Sequence, residues 1–171
     1  GAIFNEEKLS WLNAKHLKSL EDAEIAKILM PKLREEEIDV SDQKLLNIIH
    51  IEKGRMKTVN NFLTLASFFF TLPDYSAELL IWKNAPKEKT RENLQKIHET
   101  FAMLTDPSFS IPGLEAALLL LVKNLGKGEV LWPLRAALSG QRESPGPFEI
   151  AEVLGKNEAL RRLEIAIKKL I

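Results

Sequence analysis

The chain has 171 residues, 45% of them apolar, and equal numbers of basic and acidic side chains, 24 of each. This composition is typical of a folded globular protein, and it excludes a disordered chain and argues against a generic polyanion binder. No cysteine is present, which excludes disulfides and thiolate metal sites and favours a reducing compartment such as the cytoplasm.

Helical periodicity runs through most of the chain. Apolar residues recur at the spacing i, i+3, i+4, i+7 within 59–70, and stripes of similar period follow at 94–104, 114–125 and 160–170. The longest apolar run, AALLLLV at 116–122, is too short to span a membrane and predicts a buried helix face. No segment alternates apolar and polar residues long enough for a strand. We therefore predict an all-α fold of eight or nine helices.

Glycine and proline residues mark the predicted helix ends. Gly126, Gly140 and Gly155 stand where a helix C-terminus takes a left-handed residue, and Pro133 and Pro147 suit the first turn of a helix.

The basic side chains of the last helix are expected to point outward: Arg161, Arg162, Lys168 and Lys169. The chain begins with Gly1 and shows no basic or apolar leader, so we expect a piece of a longer protein without a signal peptide.

The best internal boundary is the charged, proline-containing segment IWKNAPKEKTREN at 81–93. It predicts two small helical subdomains, residues 1–84 and 85–171, packed end to end. Charge is distributed unevenly along the chain. Residues 1–122 carry 15 Lys and Arg against 18 Asp and Glu, a net charge of −3, and residues 123–171 carry 9 against 6, a net charge of +3. The C-terminal third is therefore the better candidate for contacts with a phosphate backbone.

Catalytic motifs are absent from the sequence. The histidines His16, His50 and His98 fall on separate predicted helices without metal-ligand spacing, and His98 is expected at a core boundary. The REEE run at 34–37 is typical of a solvated helix end. No phosphate-binding glycine loop or nucleophile elbow occurs. We predict no catalytic residue, no metal site and no cofactor in this chain.

One connecting loop is unusually rich in proline. The segment SGQRESPGP at 139–147 has a proline-restricted backbone, and Arg135 and Arg142 lie beside it. From the loop alone, a tight helix–helix connector is the simpler interpretation. The alternative is a rigid binding site for unstacked bases, since proteins recognise single-stranded RNA by stacking and by hydrogen bonds to exposed base edges.

Two motifs near the ends of the chain carry a family resemblance. FNEEKLSWLNAKHLK at 4–18 resembles the segment that follows the catalytic half of bacterial-type glutamyl-tRNA synthetases. PLRAALSGQRESPGPFEIAEVLGKNEALRRLEIAI at 133–167 is similar to the C-terminal signature of that family, and the spacing between the two motifs also fits. The resemblance implies the all-helical anticodon-binding region of a class I synthetase, of the helical cage type.

The resemblance also implies the partners of the chain. The catalytic half, which binds ATP and glutamate, would lie outside this chain, so the chain alone would not be an enzyme although its parent would be a glutamate–tRNA ligase. The implied partner is the tRNA for glutamate. The implied setting is a cytoplasmic monomer without a membrane anchor.

Individual site residues follow from the resemblance. EKGRMKTVNNF at 52–62 resembles the family segment whose arginine reads the third anticodon base, which assigns that role to Arg55. The C-terminal signature places Arg135 beside the first two bases. Three positions of the loop at 139–147 match family positions that contact and sandwich those bases: Ser144, Pro145 and Pro147. The resemblance thus favours base binding over the connector interpretation of this loop.

The chemistry of Arg55 fits a reader of cytosine. Cytosine presents two adjacent acceptors on its pairing edge, which a guanidinium can satisfy together, whereas guanine presents donors there.

Two alternative functions stay open from the sequence: a helical protein–protein scaffold derived from this fold without RNA readout, and an enzyme that accepts both glutamate and glutamine tRNAs.

Overall fold

The computed structural model describes the backbone of residues 6–171 and the side chains from residue 13 onward. Residues 4 and 5 of the N-terminal motif therefore lie outside the described residues. All regular structure within the described range is helical, which confirms the predicted all-α fold. In this range no helix is long and apolar enough to cross a membrane, and no group of three or more His, Asp or Glu side chains is placed to hold a metal ion.

The chain divides into two compact units, Gly1–Phe70 and Thr71–Ile171. The described helices of the first unit are α1 (Glu6–Ser19), α2 (Asp22–Glu35), α3 (Asp42–Glu52) and α4 (Phe62–Ala66). The second unit contains α5 (Lys87–Met103), α6 (Ile111–Leu125), α7 (Lys127–Ser139), α8 (Pro147–Leu154) and α9 (Lys156–Lys169). These nine α-helices of the described range agree with the predicted eight or nine.

Residues 71–84 pack with the second compact unit. A 3₁₀ helix at Ala77–Leu80 contacts α7 and α9, and the Trp132 indole donates a hydrogen bond to the Leu79 carbonyl at 2.9 Å. The predicted boundary between two helical subdomains, at residues 84 and 85, stays a prediction. The compact packing unit begins earlier in the chain, because these turns bury their apolar side chains against α7.

The core of the first unit forms between α2 and α3. The apolar residues of α2 recur at i, i+4 and i+8 and meet the buried face of α3. The buried side chains of these two faces are Ile25, Leu29, Leu33, Leu45, Ile48 and Ile49. Ser41 begins α3 as its N-cap, because its hydroxyl accepts a hydrogen bond from the Lys44 amide at 3.3 Å.

The helical stripe predicted across 59–70 is broken in the structure. A 3₁₀ turn at Val59–Asn61 precedes α4, and another at Ser67–Phe69 follows it. Phe68 and Phe69 are both buried, with ring centroids 4.1 Å apart. Adjacent residues point to different faces of an α-helix. Because both rings are buried, this segment is packed on more than one side.

Helix α7 is the central element of the second unit. It packs against α5, α6, α8 and α9, and most of its side chains from residue 130 onward are buried. Gly126 separates it from α6 with φ 94°, and Gly140 ends it with φ 64°. Gly155 separates α8 from α9 with φ 78°. The three glycines therefore stand at helix C-termini with positive φ, as predicted.

Pro133 lies inside α7 and not in its first turn, so that prediction was wrong. The helix begins at Lys127, six residues earlier, directly after Gly126. A proline inside a helix removes the N–H that would bond to the carbonyl four residues back, here that of Glu129. The buried Asn93 side chain of α5 donates to this carbonyl at 3.1 Å. A side chain from a neighbouring helix thus replaces the missing backbone donor.

Arg162 also departs from its predicted outward orientation. It lies on α9 and is only 1% exposed. Its guanidinium donates to the Leu138 carbonyl at 2.6 Å and to the Glu158 carboxylate at 2.7 Å. Burial lowers the pKa of Arg162, while Glu158 opposes that shift. The arginine is buried because it pairs with a carboxylate and bonds a carbonyl near the C-terminus of α7.

The apolar run at 116–122 was expected to form a buried helix face, and this is only partly so. Leu118 on α6 is fully buried, whereas Leu119 and Leu120 are 49% and 70% exposed. Helix α6 packs on α5, α7 and α8. A helix with neighbours on one side buries one stripe, so consecutive leucines cannot all enter the core.

Candidate nucleic-acid interface

Arg55 lies in a turn directly after α3. Its backbone amide donates to the Glu52 carbonyl at 2.8 Å, and its Nη1 donates to Glu52 Oε2 at 2.7 Å. The Glu52 side chain is completely buried, whereas that of Arg55 is 29% exposed. The next residue, Met56, is buried at 1% exposure. Arg55 is therefore a partly exposed cation, and its backbone is held by contacts with the buried residues of the first unit.

Arg135 projects from α7 and holds the proline-rich loop. Its Nη1 donates to Ser144 Oγ at 3.2 Å, and its Nη2 donates to the Arg142 carbonyl at 3.0 Å. The two bonds use the planar fork of the guanidinium, so they constrain both distance and direction. The structure thus joins two of the predicted site residues directly. Arg135 therefore fixes the shape of the loop and also places a positive charge beside it.

The ends of this loop are also fixed. Ser139 Oγ accepts from the Gln141 amide at 3.2 Å, which closes the turn around Gly140. At the other end, the Glu149 carboxylate accepts from the Gly146 amide at 2.8 Å, in the first turn of α8. Pro145 is buried, and Pro147 is the first residue of α8, as predicted. The loop is therefore preorganised by hydrogen bonds along its length.

Gly140 leaves room for a close approach between the loop and the start of the second unit. A Cβ at this position would lie 2.8 Å from Pro73 Cγ and 3.0 Å from the Tyr75 ring. Burial raises the pKa of Tyr75 to about 12, because loss of contact with water disfavours the charged phenolate. This contact and the positive φ both require glycine at 140.

A shallow aromatic depression, open to solvent and about 300 Å³ in volume, lies beside the loop. Its lining includes Trp82, Lys127, Trp132, Arg135 and Pro147. The two indole rings lie 5.3 Å apart at 46°, and the Arg135 guanidinium lies 4.8 Å from the Trp132 ring centroid. The depression thus combines aromatic surface with two cations, the combination that single-stranded nucleic-acid sites use.

Local contacts hold both indole rings in place. Trp132 donates its indole N–H to the Leu79 carbonyl, which fixes its ring. Trp82 packs on the first turn of α7, where a Cβ at Gly128 would lie 2.1 Å from Trp82 Nε1. Lys83, which follows, adopts φ 52°, and its ammonium lies 5.4 Å from the Trp82 ring centroid. The missing side chain of Gly128 therefore leaves the space that the Trp82 indole occupies, and the Lys83 ammonium lies near the same ring.

A family of known domains matches nearly the whole chain. The family model described as an anticodon binding domain covers residues 14–167. The chain belongs to the family of anticodon-binding domains.

Two relatives of this anticodon-binding domain share one name. The glutamate–tRNA ligases of Clostridium kluyveri and Chloroherpeton thalassium are each 34% identical to it, over 174 and 182 residues. Each alignment covers 99% of this chain but only 35% and 36% of the relative. The chain therefore spans about a third of the length of these relatives.

Solved structures agree with the sequence relatives. The anticodon-binding domain superposes on a glutamate tRNA ligase from Elizabethkingia meningosepticum with a TM-score of 0.87 and 30% identity, over 100% of this chain and 34% of the other. A glutamate–tRNA synthetase from Elizabethkingia anophelis gives a TM-score of 0.82 and 29% identity, over 98% of this chain and 32% of the other. The resemblance inferred from the two sequence motifs is confirmed.

The roles of the five predicted site residues stay predictions. In the anticodon-binding domain, Arg55 belongs to the first compact unit, whereas the others gather at the loop of the second. Sequence reasoning missed Trp82, Lys127 and Glu52. A signal existed for Glu52, which precedes Arg55 at the i, i+3 spacing of ion pairs. Trp82 lies in the segment interpreted as a domain boundary, where nothing local points to α7.

Proposed function

We propose that this anticodon-binding domain reads the anticodon of the tRNA for glutamate, as the C-terminal part of a glutamate–tRNA ligase. The observation that carries the proposal is the loop held by Arg135 beside the depression of Trp82 and Trp132, in a chain whose relatives are ligases of this name. All four relatives and structures described above are ligases. The alternative of a scaffold without RNA readout has no support among them.

The second unit receives the first two anticodon bases in this proposal. Anticodon bases must leave their stack to expose their edges to protein. Stacking of a base on an aromatic side chain contributes about 1–3 kcal/mol. Trp132 offers an indole whose N–H is already bonded, and Pro147 lines the same depression. A preformed loop avoids the entropic cost of ordering on binding.

Arg55 reads the third base, which is cytosine in glutamate anticodons and guanine in glutamine anticodons. A guanidinium can donate to the ring nitrogen and the carbonyl of cytosine together, but it meets N–H donors on guanine. A good bidentate pair gives about 1–3 kcal/mol of discrimination against the wrong base. Arg55 therefore favours an enzyme that rejects glutamine tRNA over one that accepts both.

The ligation chemistry belongs to the rest of the parent protein in this proposal. ATP and glutamate bind in a catalytic half outside the 171 residues, since the chain contains neither the H-I-G-H nor the K-M-S-K-S motif of class I synthetases. This domain alone has no ligase activity. The parent works as a monomer in the cytoplasm.

The proposal is tested by equilibrium binding of the chain to two anticodon stem-loops at low salt. The RNAs differ only in the third anticodon base, cytosine or guanine. We expect tighter binding to the cytosine stem-loop, and loss of that preference in Arg55→Ala. Affinity for both RNAs should fall with rising salt, because phosphate contacts release counterions.

Each outcome has a defined meaning. Equal affinity of the wild-type chain for both stem-loops would remove Arg55 as the reader and support an enzyme that accepts both tRNAs. A preference for cytosine that survives in Arg55→Ala would place the reader elsewhere. Failure of the folded chain to bind either RNA would contradict anticodon recognition by this domain alone.

A further inference from the structure

Glu52 is the buried partner of the proposed base reader. It is the last residue of α3 and is 0% exposed, and among the described side chains that are buried it is the only carboxylate. Its Oε2 accepts from Arg55 Nη1 at 2.7 Å. Its backbone carbonyl accepts from the amides of Arg55 and Met56 at 2.8 and 3.1 Å. Side chain and backbone of Glu52 thus fix the turn that carries Arg55.

A carboxylate in this position is costly for folding. Removing a charge from water is unfavourable unless the charge is paired and hydrogen-bonded, and buried ion pairs often add little net stability. An apolar residue at the end of α3 would fill the same core position without this penalty. The placement of Glu52 is better explained by what it does to Arg55.

The geometry of a guanidinium makes one anchor effective. The group is planar and rigid, with five N–H donors in fixed directions. A bond from Nη1 to the buried Glu52 carboxylate therefore restricts the directions of the remaining donors. An arginine without such an anchor samples many rotamers, and ordering a long side chain on binding has an entropic cost that weakens its contact with any base.

We infer that Glu52 is a positioning residue that sets the selectivity of Arg55 for a base with two adjacent acceptors. This inference rests on the proposed role of Arg55 as the reader of the third anticodon base. The carboxylate also offsets the charge of Arg55, which weakens its attraction to phosphates in general. Glu52 therefore favours directional hydrogen bonding over contact with any phosphate.

The test compares three variants, Glu52→Gln, Arg55→Ala and the double variant, on the cytosine and guanine stem-loops. The readout is the ratio of the two dissociation constants. Partial unfolding lowers the concentration of competent protein by the same factor for both RNAs, so the ratio does not change through lost stability. Asp22→Asn is the matched control, because this carboxylate of the same unit pairs with Lys53 at 2.9 Å.

We expect a wild-type preference for cytosine of roughly 5- to 150-fold, the range of one bidentate base contact. Glu52→Gln should bring the ratio close to one, mainly by weaker binding to the cytosine RNA. The double variant should match Arg55→Ala, and Asp22→Asn should keep the wild-type ratio. A steeper salt dependence of RNA binding by Glu52→Gln would accompany this loss, since Arg55 no longer faces the negative charge of the Glu52 carboxylate.

The outcomes separate this inference from the function on which it rests. A wild-type ratio retained in Glu52→Gln but lost in Arg55→Ala overturns the positioning role alone. A ratio retained in both variants overturns the role of Arg55 and the inference together. If Asp22→Asn and Glu52→Gln lose the cytosine preference equally, the loss would come from removing any carboxylate of this unit, and this result would also overturn the inference.

Discussion

The position of Trp82 depends on a glycine in the neighbouring helix, and Gly128→Ala tests this dependence. Gly128 lies in the first turn of α7, where the indole of Trp82 covers the backbone. An added Cβ would lie 2.1 Å from Trp82 Nε1 and 2.4 Å from Cε2. Both atoms belong to a rigid ring, so the whole side chain must move.

Two opposing effects determine the change in stability. Alanine is more favourable than glycine inside a helix by about 0.5–1 kcal/mol. Forcing an extra methyl group into a filled site costs about 1–3 kcal/mol. Because the overlap involves a ring and not a flexible chain end, we expect the second effect to exceed the first. The free energy of unfolding should fall by about 0.5–2 kcal/mol.

Displacement of Trp82 should also weaken RNA binding. The depression would lose one of its two aromatic walls, and each base–aromatic stack contributes about 1–3 kcal/mol. We expect affinity to fall roughly 5- to 150-fold for both stem-loops. The ratio between the cytosine and guanine RNAs should stay unchanged, because that ratio is assigned to Arg55.

Urea denaturation followed by circular dichroism measures the change in stability, and the stem-loop assay measures the change in affinity. Gly54→Ala is the control for stability, because a Cβ at position 54 would meet no atom within 4 Å and the φ of Gly54 is not positive. A Gly128→Ala chain that is more stable than wild type, with unchanged affinity for both RNAs, would refute the proposed dependence of Trp82 on Gly128.

Two further predictions concern stability. Asn93→Ala should lower the free energy of unfolding by about 1–3 kcal/mol, because it leaves the partly buried Glu129 carbonyl without its donor. Pro133→Ala restores a backbone donor for that carbonyl, so a double-mutant cycle that shows no coupling between the two positions would contradict this explanation. The hydrogen bond from Arg161, followed by that from Arg162, lowers the pKa of Glu158 from 4.5 to about 2, although burial opposes the shift. Its stabilising contribution is therefore complete above pH 4.5 and lost as pH falls towards 2, and the stability difference between wild type and Glu158→Gln should shrink over that window in acid titrations.

Local sequence patterns were sufficient for the helices and their ends. The helical spacing of apolar residues, together with the glycines and prolines at the predicted helix ends, predicted an all-α fold. Gly126, Gly140 and Gly155 do stand at helix C-termini with positive φ. These features depend on neighbours in the chain, since backbone φ and helical spacing involve only nearby residues. The two terminal motifs also identified the family, because a signature of many residues carries more information than any single pattern.

Patterns were insufficient where a distant group supplied the missing interaction. Pro133 lies inside a helix because Asn93, on another helix, donates to the carbonyl left without its partner. Arg162 is buried because it pairs with Glu158 and bonds the Leu138 carbonyl of α7. Local propensity places a proline at a helix start and an arginine in solvent, and only tertiary contacts offset those preferences.

The candidate site divides in the same way. The sequence by itself determined the helical fold and the family, and it was enough to name Arg55, Arg135 and the proline-rich loop as candidate site residues. Only the tertiary structure showed that Arg135 holds Ser144, that Trp82 reaches Gly128, and that a buried Glu52 anchors Arg55. Hydrogen-bond direction and side-chain burial depend on how the helices pack, and residue spacing along the chain does not specify them.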